Sequence, residues 1–173
     1  MIIIRRADMS SEEIKHFWEN VDKTSNCWIW KAGTSKSCSG RYGELRYKGV
    51  HIKAHRFAYA IVHGECPTNL VIDHMCHNTL CVNPEHLQAV TAHQNCENRV
   101  PNKNSKTKIR GVCWHKRANK WRVKVTVNRV DYHGGYFDDI HDAEKAAITL
   151  RDKLMDNNLQ DKPIKREDTR NHA

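Results

Sequence analysis

No stretch of this 173-residue chain approaches the roughly 20 consecutive apolar residues that a membrane-spanning helix needs. Its opening, MIIIRR, has three apolar positions before two arginines, far short of the core of a secretory leader. Cysteine is present but not in even number: seven thiols exclude a fully paired disulfide framework. Acidic residues all but vanish from one region. Residues 98–135 contain 11 Lys and Arg against one acid, Asp131, whereas the 97 residues before them are nearly balanced. The net charge of +9 therefore sits in one central stretch. Solubilising surfaces normally intersperse the two signs, so a polyanionic partner, nucleic acid first among them, is the better account. From these absences a soluble, cytoplasmic protein with reduced thiols and no membrane partner is expected, in which clustered cysteines bind metal.

The length suits one ordinary domain or two small ones, and small domains with thin cores often rely on a metal. SSEEIKHFWENV predicts a helix with a capping box formed by Ser10 and Glu13, and with Ile14, Phe17, Trp18 and Val21 on its buried face. GRYGELRYKGVHIKAHRFAYAIVHG predicts a hairpin turning at Lys48-Gly49 and then a helix from about Ala54. VTAHQNCENR predicts a short helix with Thr91 and Gln94 as a second capping box. Residues 98–109 are basic, aperiodic and polar, and are expected to be a linker along a phosphate backbone. Beyond it, VCWHKR, WRVKVTV and YHGGYF predict three strands. A helix from about Asp139 to Met155 follows, burying Ala143, Ala147, Leu150 and Leu154. Residues 156–173 are expected to be a polar, frayed tail.

Between the hairpin and the linker lies DHMCHNTLCVNPEH, residues 73–86. Cys76, Cys81 and His86 follow the pattern C-x4-C-x4-H, and thiolates with imidazole are the ligands zinc prefers in a closed tetrahedral site. A fourth ligand is required. Cys27, in CWIW, is the first choice, with Cys38 and Cys66 as alternatives. Asp73 and His74 stand just outside this set. A carboxylate is a hard ligand suited to Mg²⁺, and a neutral imidazole can take a proton from water near neutral pH. Asn95 adds a second hard oxygen.

The full pattern H-x-C-x4-C-x4-H-x8-N, on His74, Cys76, Cys81, His86 and Asn95, resembles the ββα-metal fold of HNH and His-Cys box homing endonucleases. CWIW, RYG and AHRFAY add to the resemblance, which covers about residues 12–99. It implies His74 as general base, and Asp73 with Asn95 as ligands of one Mg²⁺ or Mn²⁺. It also implies that Asn83 braces the loop, and that a basic residue contacts the scissile phosphate. That residue is Arg56 by first choice, with Lys53 and Arg41 as alternatives. A cysteine well upstream of the zinc loop occurs in the His-Cys box relatives and favours Cys27.

The alternation in WRVKVTV puts Trp121, Val123, Val125 and Val127 on a buried face, and Arg122, Lys124 and Thr126 on a cationic one. VCWHKR likewise turns Val112 and Trp114 inward, and Cys113, His115 and Arg117 outward. Residues 110–155 resemble the APETALA2-type DNA-binding domain, which implies DNA contacts from Arg110, His115, Arg117, Arg122, Lys124 and Thr126, with Trp114 and Trp121 in the core.

The expected class is therefore α+β. Residues 1–97 form a zinc-stapled ββα-metal nuclease domain, 98–109 a basic linker, and 110–155 a three-stranded antiparallel sheet with one helix. The function expected is site-selective, homing-type endonuclease action on double-stranded DNA by a phage-encoded protein, as a monomer in preference to a homodimer. The alternative is a non-catalytic DNA-binding regulator with a structural zinc module.

Overall fold

The structure is a computed structural model that describes residues 2–37, 40–101 and 104–155. The chain divides into two compact units, Met1–Ala92 and His93–Ala173. The tail expected at 156–173 and the candidate ligand Cys38 lie outside the described residues.

The first unit opens with β1 (Ile4–Arg5) and α1 (Ser11–Glu19), whose capping box between Ser10 and Glu13 is present as expected. Two short pairs of strands follow: β2 (Val21–Asp22) with β3 (Ile29–Trp30), and β4 (Thr34–Ser37) with the first half of β5 (Gly40–Tyr47). Val21 thus lies beyond α1, not on its face, though it still packs on the core. β5 turns through Lys48 and Gly49, both at positive φ (48° and 81°), into β6 (Val50–Lys53). Two left-handed residues in succession match the twist of a tight hairpin. β6 runs directly into α2 (Ala54–His63), at the residue the sequence indicated. β7 (Glu65–Cys66) pairs with β1, and β8 (Val71–His74) with β9 (Leu87–Val90).

The core of this unit is aromatic. Phe17 stacks on Trp30 at 5.0 Å and touches Phe57 of α2 at 5.1 Å, and Tyr47 closes the cluster. Gly43 makes this possible: a Cβ there would lie 2.7 Å from the Trp30 ring. Lys23 sits between the rings of Trp18 and Trp28, 4.4 and 4.3 Å from their centroids, and ties down the segment that leads to Cys27.

The second unit contains α3 (Ala92–Glu97, whose first residue ends the preceding unit), then β10 (Val112–His115), β11 (Lys120–Val127), β12 (Val130–Phe137) and α4 (Ile140–Leu154). The three strands form one antiparallel sheet in the order β10-β11-β12, as expected. Val112, Val123, Ala143 and Ala147 make its core. Gly111, at φ +82°, lets its carbonyl accept from Lys124 N–H at 2.8 Å; a Cβ there would crowd the Lys124 carbonyl at 2.9 Å.

Two residues depart from the expected packing. Trp114, assigned to the core, is 44% exposed. β10 is an edge strand, while α4 lies mainly across β11 and β12, so Trp114 only leans edge-on against Trp121 at 4.8 Å. Conversely, Arg151 is 2% exposed on the alanine face of α4, where its Nη1 donates to the Arg110 carbonyl. Small residues at Ala143 and Ala147 leave room one turn on, and the carbonyl satisfies the charge that burial would otherwise leave unmet. The stretch expected to be a linker also has bonds of its own. Thr107 Oγ1 donates to the carbonyls of Ile109 and Val112 at 3.2 and 3.1 Å.

Candidate metal centre and active-site strand

Cys27, Cys76, Cys81 and His86 converge, with their ligand atoms all within 4.8 Å of one another. Three local structures bring them together. The chain just after Cys27 runs beside the Cys81 segment: Trp30 N–H donates to the Leu80 carbonyl at 3.0 Å, and Val82 N–H to that of Trp28 at 2.8 Å. Between the cysteines of the loop, His77 takes a left-handed φ of 56°, and its N–H donates to the His74 carbonyl at 2.9 Å. A one-turn helix at Pro84–His86, capped by the Asn83 side chain accepting from Glu85 N–H at 3.1 Å, delivers His86. Asn83 also donates from Nδ2 to the Asn26 carbonyl at 3.0 Å, so it bridges the loop to the residue before Cys27.

The distances suit a tetrahedral ion of zinc's size. Ligand bonds of about 2.3 Å to sulfur and about 2.0–2.1 Å to nitrogen place S and N about 3.5–3.6 Å apart. His86 Nδ1 lies 3.6 Å from Cys27 Sγ and 3.5 Å from Cys81 Sγ. Cys81 and His86 are fully buried, and Cys27 and Cys76 half-buried. Within the cluster the Cys76 thiol is the first to ionise: a hydrogen bond from the Cys81 thiol draws its pKa down, and the same bond pushes that of Cys81 up. Burial pushes Cys27 up. Cys66, an alternative fourth ligand, is instead buried on β7 opposite Ile4, outside this cluster.

β8 ends at His74, and its alternation continues to the last residue. Ile72 and His74 are buried, and Val71 and Asp73 half-buried. His74 Nε2 donates to the Cys81 carbonyl at 3.0 Å. A carbonyl can only accept, so the proton is assigned to Nε2, and Nδ1 keeps its lone pair. Burial pulls the His74 pKa below the ordinary histidine value, which keeps the ring neutral at pH 7. Asp73 accepts from Gln88 Nε2 at 3.2 Å across the β8–β9 pair. Asn95 lies half-buried on α3, in the second unit.

Arg56, half-buried on α2, donates from Nη2 to the Pro67 carbonyl at 2.8 Å, which fixes the plane of its guanidinium. Lys53 is paired with Glu44 at 3.0 Å, and Arg41 is exposed. One residue had no place in the sequence reading. His55 is buried at the start of α2, with its ring centroid 4.6 Å from that of His74. The two stand nineteen positions apart in the chain, and the tertiary fold brings them together.

On the sheet of the second unit, Thr126 is exposed and His115, Arg122 and Lys124 are half-buried, while Arg117 is exposed in the turn between β10 and β11. The single acid of the basic stretch is engaged here: Asp131 meets Lys124 Nζ at 2.6 Å and accepts from Thr126 Oγ1 at 2.7 Å. These bonds hold the Asp131 carboxyl below its usual pKa. Arg110 turns inward, donating from Nη1 to the carbonyls of Glu97 and Arg99.

Residues 53–96 match the HNH endonuclease family, a stretch that holds α2, β8, β9, three of the four clustered ligands and both His74 and Asn95. The chain is also 33% identical over 75 residues to Protein 7.7 of Escherichia phage T7, an alignment that takes in 43% of this chain and 55% of that protein. The chain thus spans about half the length of this curated relative, whose name states no activity. No solved structure matches. No described helix is long and apolar enough to cross a membrane.

Proposed function

We propose that the protein is a metal-dependent endonuclease acting on double-stranded DNA, with a structural zinc ion and a single catalytic Mg²⁺ or Mn²⁺. The observation that carries this reading is the His74–Cys81 bond. It leaves the imidazole with one free lone pair, beside a carboxylate, at the end of a strand within the HNH-matched residues.

In this reading His74 Nδ1 takes the proton of the attacking water, while the Cys81 carbonyl holds the ring and steadies the imidazolium that forms. Asp73 would hold the divalent cation, with Gln88 orienting the carboxylate, and Asn95 is the second oxygen ligand that the HNH resemblance implies. Once bound, that cation would neutralise charge on the phosphate and favour departure of the 3′ oxygen. Arg56 contacts the scissile phosphate, its remaining donors held in place by the Pro67 tether. Zinc on Cys27, Cys76, Cys81 and His86 closes the loop from which the Cys81 carbonyl projects.

The second unit supplies affinity and choice of site through the face that carries His115, Arg117, Arg122, Lys124 and Thr126, with Arg110 bracing the chain ahead of the sheet. Site choice of this kind fits a homing-type enzyme encoded by a phage. Incubating supercoiled plasmid with the zinc-loaded protein, with and without Mg²⁺, tests the reading. Nicked or linear product that requires the added metal supports it, and a protein that binds plasmid but leaves it intact is the regulator instead.

A further inference from the structure

His74 can accept a proton but has no hydrogen to give, because its Nε2–H is held by the Cys81 carbonyl. A phosphate gaining negative charge needs donors as well as a base. The imidazole packed against it is that of His55, in the first turn of α2. Its ring stands at 62° to that of His74, and Tyr42 closes the group at 5.8 Å from His55 and 6.1 Å from His74.

His55 is 7% exposed, and its Nδ1 is sealed from solvent without a hydrogen-bond partner. Phenylalanine would fill the same space without burying an unmet nitrogen, so packing does not account for an imidazole at this position. Of the two neutral tautomers, the one protonated at Nε2 buries only a lone pair at Nδ1 and leaves Nε2–H as the ring's donor.

We propose that His55 is a second working histidine of the site, which donates a hydrogen bond from Nε2 to a non-bridging oxygen of the DNA phosphate attacked by the water that His74 activates. The two rings divide the work: one only accepts, and the other only donates. The proposal rests on the nuclease reading of His74.

The test compares full-length, zinc-loaded wild type, His55→Phe and His55→Gln on supercoiled plasmid with Mg²⁺, reading single-turnover rate, plasmid affinity and melting temperature. Phenylalanine keeps the ring but not the donor, and the glutamine amide restores a donor near the position of Nε2. His55→Phe is expected to cleave roughly 10²-fold slower, the usual effect of losing one donor to developing charge. Its affinity should be unchanged, and it should melt at or above the wild-type temperature. His55→Gln is expected to recover much of the lost rate. Wild-type turnover in His55→Phe would overturn the proposal. So would a lowered melting temperature in both variants with equal loss of rate, because the ring would then serve the fold. If the wild type itself leaves plasmid uncut, the nuclease reading falls and takes this proposal with it. If the wild type cuts and His55→Phe cuts as fast, only this proposal falls.

Discussion

His74 Nε2 lies 3.0 Å from the carbonyl oxygen of Cys81, so the proposed base is held by the main chain of a proposed zinc ligand. In the proposed reading staple and active site share one loop, so damage to one is expected to reach the other.

Cys76→Ser or Cys81→Ser should release zinc, lower the melting temperature and lose cleavage together, because a structural ion contributes its binding energy to folding. Elemental analysis beside thermal melts checks this. Purified protein without zinc that melts like the metal-loaded form would remove the staple.

Asp73→Ala and Asn95→Ala should behave differently. Each should abolish Mg²⁺-dependent cutting while keeping zinc, with stability changed by little more than the roughly 0.5 kcal/mol typical of surface substitutions. Loss of zinc from either variant would place that residue with the structural site.

The two buried histidines set an acid limit. Both have folded pKa values below 6.5, mainly through burial, and His55 lies well below. Cleavage should therefore hold its plateau at pH 6.5, where an ordinary histidine is half protonated. Stability follows from the same shift. Above pH 6.5 neither the folded nor the unfolded form binds the extra proton; below it the unfolded chain does so first. The melting temperature should thus fall as pH drops from 6.5 towards the folded values, less steeply in His55→Phe. A melting profile as steep in that variant as in the wild type would contradict this.

DNA affinity should depend steeply on salt, each neutralised phosphate adding a slope of about −0.9 in log K against log salt. Arg122→Ala should weaken binding and flatten that slope. Asp131→Asn should strengthen binding, because it frees Lys124 from its carboxylate partner. Fluorescence anisotropy over a salt series measures both, and affinity in Asp131→Asn at or below wild type would show that Lys124 is not a contact.

Much of this was legible in the sequence because it depends on local pattern. The Lys48-Gly49 turn, the start of α2 and the alternation of Trp121–Val127 are each set by neighbouring residues. The ligand spacing within residues 76–86 was equally plain. Cys27 could only be preferred over Cys38 and Cys66, because its approach depends on pairing between segments some fifty residues apart. Trp114 followed the alternation of its strand, but the helix does not cover that edge. Arg151 hides on a helix face that hydrophobicity could not mark, since a backbone carbonyl makes its burial tolerable.

The most direct measurement is single-turnover cleavage of plasmid by zinc-loaded protein in Mg²⁺, wild type against His74→Ala, with binding measured in parallel. The account predicts a loss of about 10²–10⁴-fold in rate, the usual range for a positioned proton acceptor, with affinity and zinc content unchanged. Cleavage by His74→Ala at the wild-type rate would contradict it.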